Sequence, residues 1–231
     1  MSLWNETLSW FSAAASWTSS GSIPQRFIEH IAITLGVLAV ASVLALPVGV
    51  LIGHRRKGGG IVVVVAGAAR AIPTLGLLTV LGLALGIGLG APMVALVILA
   101  LPPLLTGAYS GVGSTDLVAV DAARAIGLSE PQIVRQVELP LAASIIVGGV
   151  RSATLQVVAT ATLAAYTADA GLGRFIFAGL KSRDYGELIG GSLLVVALAL
   201  ALDGGFALVL RAIRRRSLLK RTPASVTEGH T

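Results

Sequence analysis

The chain contains no cysteine and few charged residues. The absence of cysteine among its 231 residues excludes disulfides, thiolate zinc sites, iron–sulfur clusters and cysteine nucleophiles. Charged residues make up 12% of the chain, which is about half of what a soluble domain carries. Residues 31–53 and 71–115 have no Asp, Glu, Lys or Arg at all. Because a bilayer core takes roughly 20 apolar residues per helix, these runs predict an all-α integral membrane protein.

About five transmembrane helices are expected from the apolar runs. The predicted spans cover residues 28–52, 60–83, 92–110, 141–167 and 188–211. The second span is expected to bend near Pro73, and the sequence leaves open whether residues 58–89 form one bent helix or two. Proline removes a backbone donor, so Pro102 and Pro103 are expected to kink or interrupt the third span.

The distribution of basic residues predicts the orientation of these spans. With the N-terminus outside, eleven Lys and Arg residues lie in the inner loops and tail and four lie outside, as the positive-inside rule requires. Residues 1–27 then form an outer segment at the membrane interface, rich in tryptophan, for which a flexible tail is the alternative. Residues 28–213 form the transmembrane domain, and residues 214–231 form a basic cytoplasmic tail.

A compact polar segment, residues 114–140, interrupts the apolar sequence and is predicted to be cytoplasmic. Ser114 or Thr115 is expected to cap a first helix, and Gly127 to end it in the left-handed conformation. "SEPQ" (129–132) has the pattern of a second helix start with a capping box. That helix is expected to end at Pro140, where the chain re-enters the membrane. The apolar side chains of the second helix are expected to face a partner: Ile133, Val134, Val137 and Leu139.

This elbow resembles the cytoplasmic signature of the membrane subunits of binding-protein-dependent ABC importers. That signature is Glu-Ala-Ala, three residues, Gly, nine residues, Ile, one residue and Leu-Pro. The corresponding residues here are Asp121, Ala122, Ala123, Gly127, Val137, Leu139 and Pro140. Asp replaces Glu and Val replaces Ile, with the spacing kept. The resemblance implies that the elbow docks into a cleft on a cytoplasmic ATPase and couples it to the membrane helices.

Longer stretches are similar to the permeases of osmoprotectant importers, which carry glycine betaine, choline, carnitine or proline. Among them are "RAIPTLGLLTVLGLALGIG" (70–88) and "ELIGGSLLVVALALALDGG" (187–205), and the similarity covers roughly residues 28–213. Methionine and polar amino-acid importers share the signature and the R-x-I-P stretch at residues 70–73, so a permease of that kind is the alternative.

The resemblance also implies the fold, the location and the partners. A methionine-importer-like permease fold in the bacterial plasma (inner) membrane is expected. The expected partners are two ATPase subunits that hold ATP and Mg²⁺, a second permease that is identical or paralogous, and a separate extracytoplasmic substrate-binding protein.

Three charged residues lie inside predicted spans: Arg70, Arg151 and Asp203. Their distances from the span ends, at ~1.5 Å per residue, place all three in the same half of the bundle. Asp203 is therefore expected to neutralise one of the two arginines. Candidate pathway residues are Gln156, Thr160 and Tyr166, whose polar groups lie in or next to the fourth span.

Other function classes find little support in the sequence. The three histidines lie at span ends or in the tail, and no metal cluster or paired carboxylates occur within the spans, so neither a membrane enzyme nor a bound metal or cofactor is expected. No nucleotide-binding loop and no nucleic-acid-binding face is visible. A secondary carrier or channel remains an alternative, although the repeated halves usual for carriers are not seen.

Overall fold

A computed structural model describes residues 2–219, with side chains through residue 215, and the regular elements in this part of the chain are helical. The helices are α1 (Leu3–Ser12), α2 (Ala15–Thr18), α3 (Ile23–Arg55), α4 (Gly59–Ala71), α5 (Thr74–Leu85), α6 (Gly90–Gly113), α7 (Leu117–Ala125), α8 (Glu130–Ile133), α9 (Leu139–Ala161), α10 (Gly173–Ser182) and α11 (Tyr185–Leu219). A π-helical turn (Val134–Glu138) joins α8 to α9, and a 3-10 turn (Thr162–Tyr166) follows α9. Most of the predicted basic tail lies outside the described residues.

The five predicted spans correspond to helices that suit a membrane. Four described helical runs have the length and hydropathy of membrane spans: Ile23–Arg55, Gly90–Gly113, Glu130–Tyr166 and Tyr185–Arg215. Helices α4 and α5 together also have the length and hydropathy of one membrane span, although the two helices are bent by 82° at the break between them. The all-α, five-span interpretation is confirmed. The helices extend beyond the predicted bounds, except that the fourth run ends at Tyr166, one residue before its predicted end.

The break between α4 and α5 lies at Pro73, as expected, and produces two helices. The first begins beside the Tyr109 hydroxyl, near the end of α6 that leads into the polar segment. The second ends near Thr167, whose carbonyl accepts a hydrogen bond from Gly88 N–H at 3.1 Å. Since Thr167 lies at the opposite end of the bundle, the pair connects the two ends and forms a broken span.

Pro102 and Pro103 do not interrupt the third span, which was one of the two outcomes expected of them. Helix α6 is unbroken from Gly90 to Gly113 and contains both prolines, which are buried. This helix packs against both α3 and α9 at the centre of the bundle. Neighbouring helices can support a transmembrane helix in which proline has removed a hydrogen bond, and this surrounding explains the continuity.

The core between α3, α6 and α9 is built mainly from small side chains. Buried alanines line it, among them Ala41, Ala45, Ala100, Ala153 and Ala161. Where α6 crosses α9, Gly107 and Gly149 meet so closely that a Cβ built on Gly149 lies 2.8 Å from the Gly107 Cα. Small residues allow helix backbones to approach in this way, so the three helices form a tight unit.

The end of the bundle away from the polar segment is closed by polar contacts that the sequence did not reveal. The Arg26 guanidinium contacts Glu29 and, across the bundle, Asp169. His30 is completely buried, with Nε2 3.0 Å from the Val158 carbonyl. These contacts hold the start of α3 against α9 and against the loop that follows it.

The N-terminal segment is helical and packed against the rest of the protein, so the flexible-tail alternative was wrong. Helix α1 packs against α11, and the Trp10 ring lies 5.2 Å from that of Phe175. Trp4 and Trp17 are exposed, and the position of this segment at the membrane interface stays a prediction.

Candidate coupling site

The first helix of the elbow ends at Gly127, as predicted. Gly127 has φ +89°, and its N–H donates to the Arg124 carbonyl at 2.9 Å. The next N–H, that of Leu128, reaches back to the Ala123 carbonyl at 3.1 Å, which closes the helix end. Glycine adopts this left-handed conformation without the steric cost that a Cβ brings.

The predicted cap of the first helix was wrong by one or two residues. Asp116 is the N-cap, and its Oδ1 accepts from Val118 N–H at 2.9 Å. Thr115 is buried instead, and its carbonyl accepts from Arg56 Nη2 at 2.5 Å. Ser114 donates to the Gly111 carbonyl at the end of α6. Ser114 therefore hydrogen-bonds to the end of α6, and Thr115 forms the contact with Arg56 at the end of α3.

The second arm begins as expected but does not end at Pro140. Gln132 Oε1 accepts from Ser129 N–H at 2.8 Å, and Pro131 lies in the first turn. The π turn then leads directly into α9, in which Pro140 is one of the first two residues. The Leu139 N–H donates to the Val134 carbonyl, five residues back instead of four. This shift comes directly before Pro140, which has no N–H to donate, so the helix continues through the proline. The arm and the fourth span therefore form one helical run.

The apolar face offered to a partner differs from the prediction. Ile133 is fully buried and packs with Val120, Ala123 and Val137 inside the elbow. Val134 and Leu139 are half-buried as well. The exposed apolar side chains belong to the first helix and the bend: Leu117 (51% exposed), Val118 (74%) and Ile126 (78%). Leu117, Val118 and Ile126 together form an exposed apolar surface, the candidate docking surface.

The signature residues divide between the inside and the outside of the elbow. Ala123 and Val137 pack inward around Ile133, so they hold the two arms together. Asp121, Ala122 and Pro140 are exposed. The small size of Ala123 is thus explained by packing, while the three exposed residues are accessible to another protein.

An ionic cluster joins the two arms. Arg124 Nε and Nη2 donate to the Glu130 carboxylate at 2.9 and 3.1 Å, and Arg124 Nη1 donates to Asp121 at 3.1 Å. The hydrogen bond with Glu130 raises the pKa of the Arg124 guanidinium above its ordinary value. The cluster connects the first residue of the signature to the start of the second arm.

Two further residues of this site were missed at the sequence level, His54 and Glu138. His54 Nδ1 lies 2.8 Å from Glu138 Oε2, and its Nε2 lies 3.2 Å from Glu130 Oε2. Glu138 is 1% exposed, although it is charged and directly precedes the fourth span. The sequence offered two separate signals, a carboxylate directly before the fourth span and a histidine near the end of the first, but nothing that paired them.

Within the spans, Asp203 pairs with Arg151. The contact is bidentate, with Arg151 Nε 2.6 Å from Asp203 Oδ1 and Nη2 2.8 Å from Oδ2. This confirms that Asp203 neutralises one arginine by joining α9 to α11. Arg70 is exposed at the end of α4 and takes part in no ion pair among the described side chains. Within the described part of the chain, therefore, Arg70 does not join the pair of Arg151 and Asp203.

The three pathway candidates lie at the far end of the fourth span. Gln156 and Thr160 are half-buried and one helical turn apart, and the Thr160 hydroxyl donates to the Gln156 carbonyl at 2.7 Å. Tyr166 is 59% exposed, with its ring 6.1 Å from that of Phe177. Gln156 and Thr160 thus share one helix face, while the role of all three in transport stays a prediction.

Residues 45–217 match the family described as binding-protein-dependent transport system inner membrane component. The chain is 32% identical over 196 residues to the choline transport system permease protein OpuBB of Bacillus subtilis, covering 85% of this chain and 90% of that protein. It is 30% identical to the glycine betaine/carnitine/choline transport system permease protein OpuCB of the same organism, covering 87% and 93%.

The fold is similar to that of a solved transporter. An inward-facing structure of the MetNI methionine ABC transporter matches with a TM-score of 0.69 and 25% identity, covering 80% of this chain and 93% of that one. The methionine-importer-like fold is confirmed. With its five spans, its polar elbow and a family match over three quarters of its length, the chain belongs to the inner-membrane permeases of binding-protein-dependent transport systems.

Proposed function

We propose that the chain is the permease subunit of an ABC importer that takes up osmoprotectants, namely quaternary amines such as glycine betaine, choline or carnitine, or proline. The observation that carries this proposal is the similarity to permeases named for choline, carnitine and glycine betaine over most of both chains. A methionine importer is the second candidate, because the fold matches the MetNI transporter.

In this proposal the elbow faces the cytoplasm and docks on one of two ATPase subunits, which bind ATP and Mg²⁺. The orientation is supported by the excess of basic residues on that side. The docking surface is exposed and apolar and lies beside the exposed Asp121, so it can fill a groove while its polar rim stays hydrated. A second permease and a separate binding protein complete the transporter.

The elbow is connected through the backbone to two helices of the bundle, α6 and α9, so its movement can reach them. On one side it follows α6 after three residues, and on the other it continues into α9 without a break in the helix. A displacement of the docked elbow therefore moves both helices. These two helices also meet at Gly107 and Gly149, so they are expected to move together.

Two variants test the docking surface. Val118→Asp places a charge on the exposed apolar surface and is expected to abolish co-purification with the ATPase encoded beside this chain. The matched control is Leu3→Asp, which alters a 54% exposed leucine on α1 at the opposite end of the bundle and is expected to leave co-purification unchanged. Equal co-purification for both variants contradicts docking through this surface.

The substrate class is tested by uptake. Proteoliposomes with the permease, the ATPase and the binding protein are given labelled glycine betaine, choline, carnitine, proline and methionine in turn. ATP-dependent uptake of the quaternary amines or proline is expected. Uptake of methionine alone supports the second candidate, and uptake by the permease alone under an ion gradient supports a secondary carrier.

A further inference from the structure

A chain of side-chain contacts runs from the signature to the end of the first span. Asp121 contacts Arg124, Arg124 contacts Glu130, Glu130 contacts His54, and His54 contacts Glu138. The separations are 3.1, 2.9, 3.2 and 2.8 Å in that order. Acidic side chains alternate with arginine or histidine throughout. Four of the five residues belong to the elbow and the π turn, and His54 alone belongs to α3.

The position of His54 matters because α3 is not adjacent to the elbow along the chain. The elbow lies between α6 and α9 in the chain, while His54 precedes Glu138 by 84 residues. His54 and the Arg56 contact with the Thr115 carbonyl are the side-chain hydrogen bonds from the end of α3 to the elbow region among the described residues. The first of them reaches both the second arm and the π turn.

The contact with Glu138 is costly to break. Glu138 is 1% exposed, so its carboxylate is shielded from water. If it loses its hydrogen-bonding partner, nothing compensates the cost of that desolvation. His54 is the side chain that hydrogen-bonds to it within the described part of the chain. The imidazole is itself largely buried, so water replaces it poorly. The pair is therefore expected to stay together when the elbow is displaced.

We propose that His54 is a positioning residue that transmits displacement of the elbow to the first span. The inference rests on the proposed function, since the ATPase supplies the displacement. Helices α6 and α9 follow the elbow through the backbone. Helix α3 packs against both of them, and His54 adds a direct link from its end to the second arm and the π turn. The central unit of α3, α6 and α9 thus moves together.

The link is tested first without any transport measurement. The absence of native cysteine allows spin labels at Lys57→Cys and Ala125→Cys, both exposed, in the full-length permease in lipid nanodiscs. The distance distribution between them is expected to be narrow in the parent and broad in His54→Ala. His54→Gln, which keeps a hydrogen-bonding group near Glu138, is expected to restore much of the narrow distribution. Arg55→Ala, an exposed neighbour, is the matched control and is expected to change nothing.

The second measurement uses the complete transporter. His54→Ala is expected to keep ATPase association but to lower uptake per ATP by about fivefold or more, the lower end of common coupling effects. His54→Gln is expected to lie between the parent and His54→Ala. Arg55→Ala is expected to match the parent.

These outcomes separate the link from the proposed function. A distance distribution unchanged in His54→Ala, or uptake per ATP unchanged, overturns the role of His54. If the parent chain binds no ATPase, the proposed function fails, yet the distances still decide whether His54 joins α3 to the elbow. If His54→Ala does not fold, His54→Leu decides the matter, because it fills the space of the imidazole but cannot hydrogen-bond to Glu138. Parent-like distances and uptake in His54→Leu overturn the proposal.

Discussion

The crossing of α6 and α9 allows a stability change to be estimated from geometry. A Cβ added to Gly149 lies 2.8 Å from the Gly107 Cα and 2.9 Å from the Pro103 carbonyl oxygen. Both contacts are to backbone atoms, which cannot rotate away as a side chain does. Gly149→Ala must therefore push the two helices apart.

The size of the effect follows from two opposing terms. Ordinary contacts begin at 3.4 Å, so the helices must separate by several tenths of an ångström over the crossing. Overpacking of this kind costs about 1–3 kcal/mol. Replacing glycine by alanine within a helix returns about 0.5–1 kcal/mol. The net destabilisation therefore lies between about 0 and 2.5 kcal/mol, and its midpoint of about 1 kcal/mol corresponds to a decrease in melting temperature of about 2–4 °C.

The assay is the apparent melting temperature of the purified protein, followed by tryptophan fluorescence. Gly148→Ala is the matched control, because a Cβ on this neighbouring glycine meets nothing within 4 Å. It is expected to leave the melting temperature unchanged or slightly higher. If Gly149→Ala is as stable as the parent, or if both variants lose the same stability, the close approach of the two helices is not what limits this position.

Three other changes have expected outcomes. Gly127→Ala forces alanine to φ +89° and is expected to weaken ATPase co-purification, whereas Gly60→Ala, in α4 with open space around its Cβ, is expected to have no effect. Asp116→Ala removes the observed cap and is expected to speed amide hydrogen exchange in α7. Ser114→Ala is the control and is expected to leave the exchange unchanged. Faster exchange in Ser114→Ala but not in Asp116→Ala refutes the assignment of the cap. Asp203→Asn leaves Arg151 without its carboxylate and is expected to lower the melting temperature. The double variant Arg151→Leu/Asp203→Leu is expected to recover part of that loss. A double variant that recovers nothing contradicts a pairing role.

Features that depend on neighbouring residues were predicted well from the sequence. Apolar runs of sufficient length imply membrane spans, and Gly127 followed by the 129–132 capping pattern implies a bend with a new helix start. The break at Pro73 is local in the same sense, because proline restricts its own residue and the one before it. The continuity of α6 through two prolines was not predicted, because it depends on the helices packed around it.

Contacts between distant residues were the ones that the sequence left open. Depth along the spans indicated that Asp203 meets an arginine, but the rotation of α4, α9 and α11 decided that Arg151 rather than Arg70 is the partner. His54 and Glu138 are separated by 84 residues, and Arg26 and Asp169 by 143, so no local pattern connects them.

The sequence by itself determined that this is a membrane protein with five spans and a polar elbow, because hydropathy, glycine and proline act within a few residues of where they occur. Tertiary structure decided which face of the elbow is exposed, that its second arm is continuous with the fourth span, and which charges pair. These depend on how helices pack side by side, since burial and contact across the bundle are properties of the assembled chain.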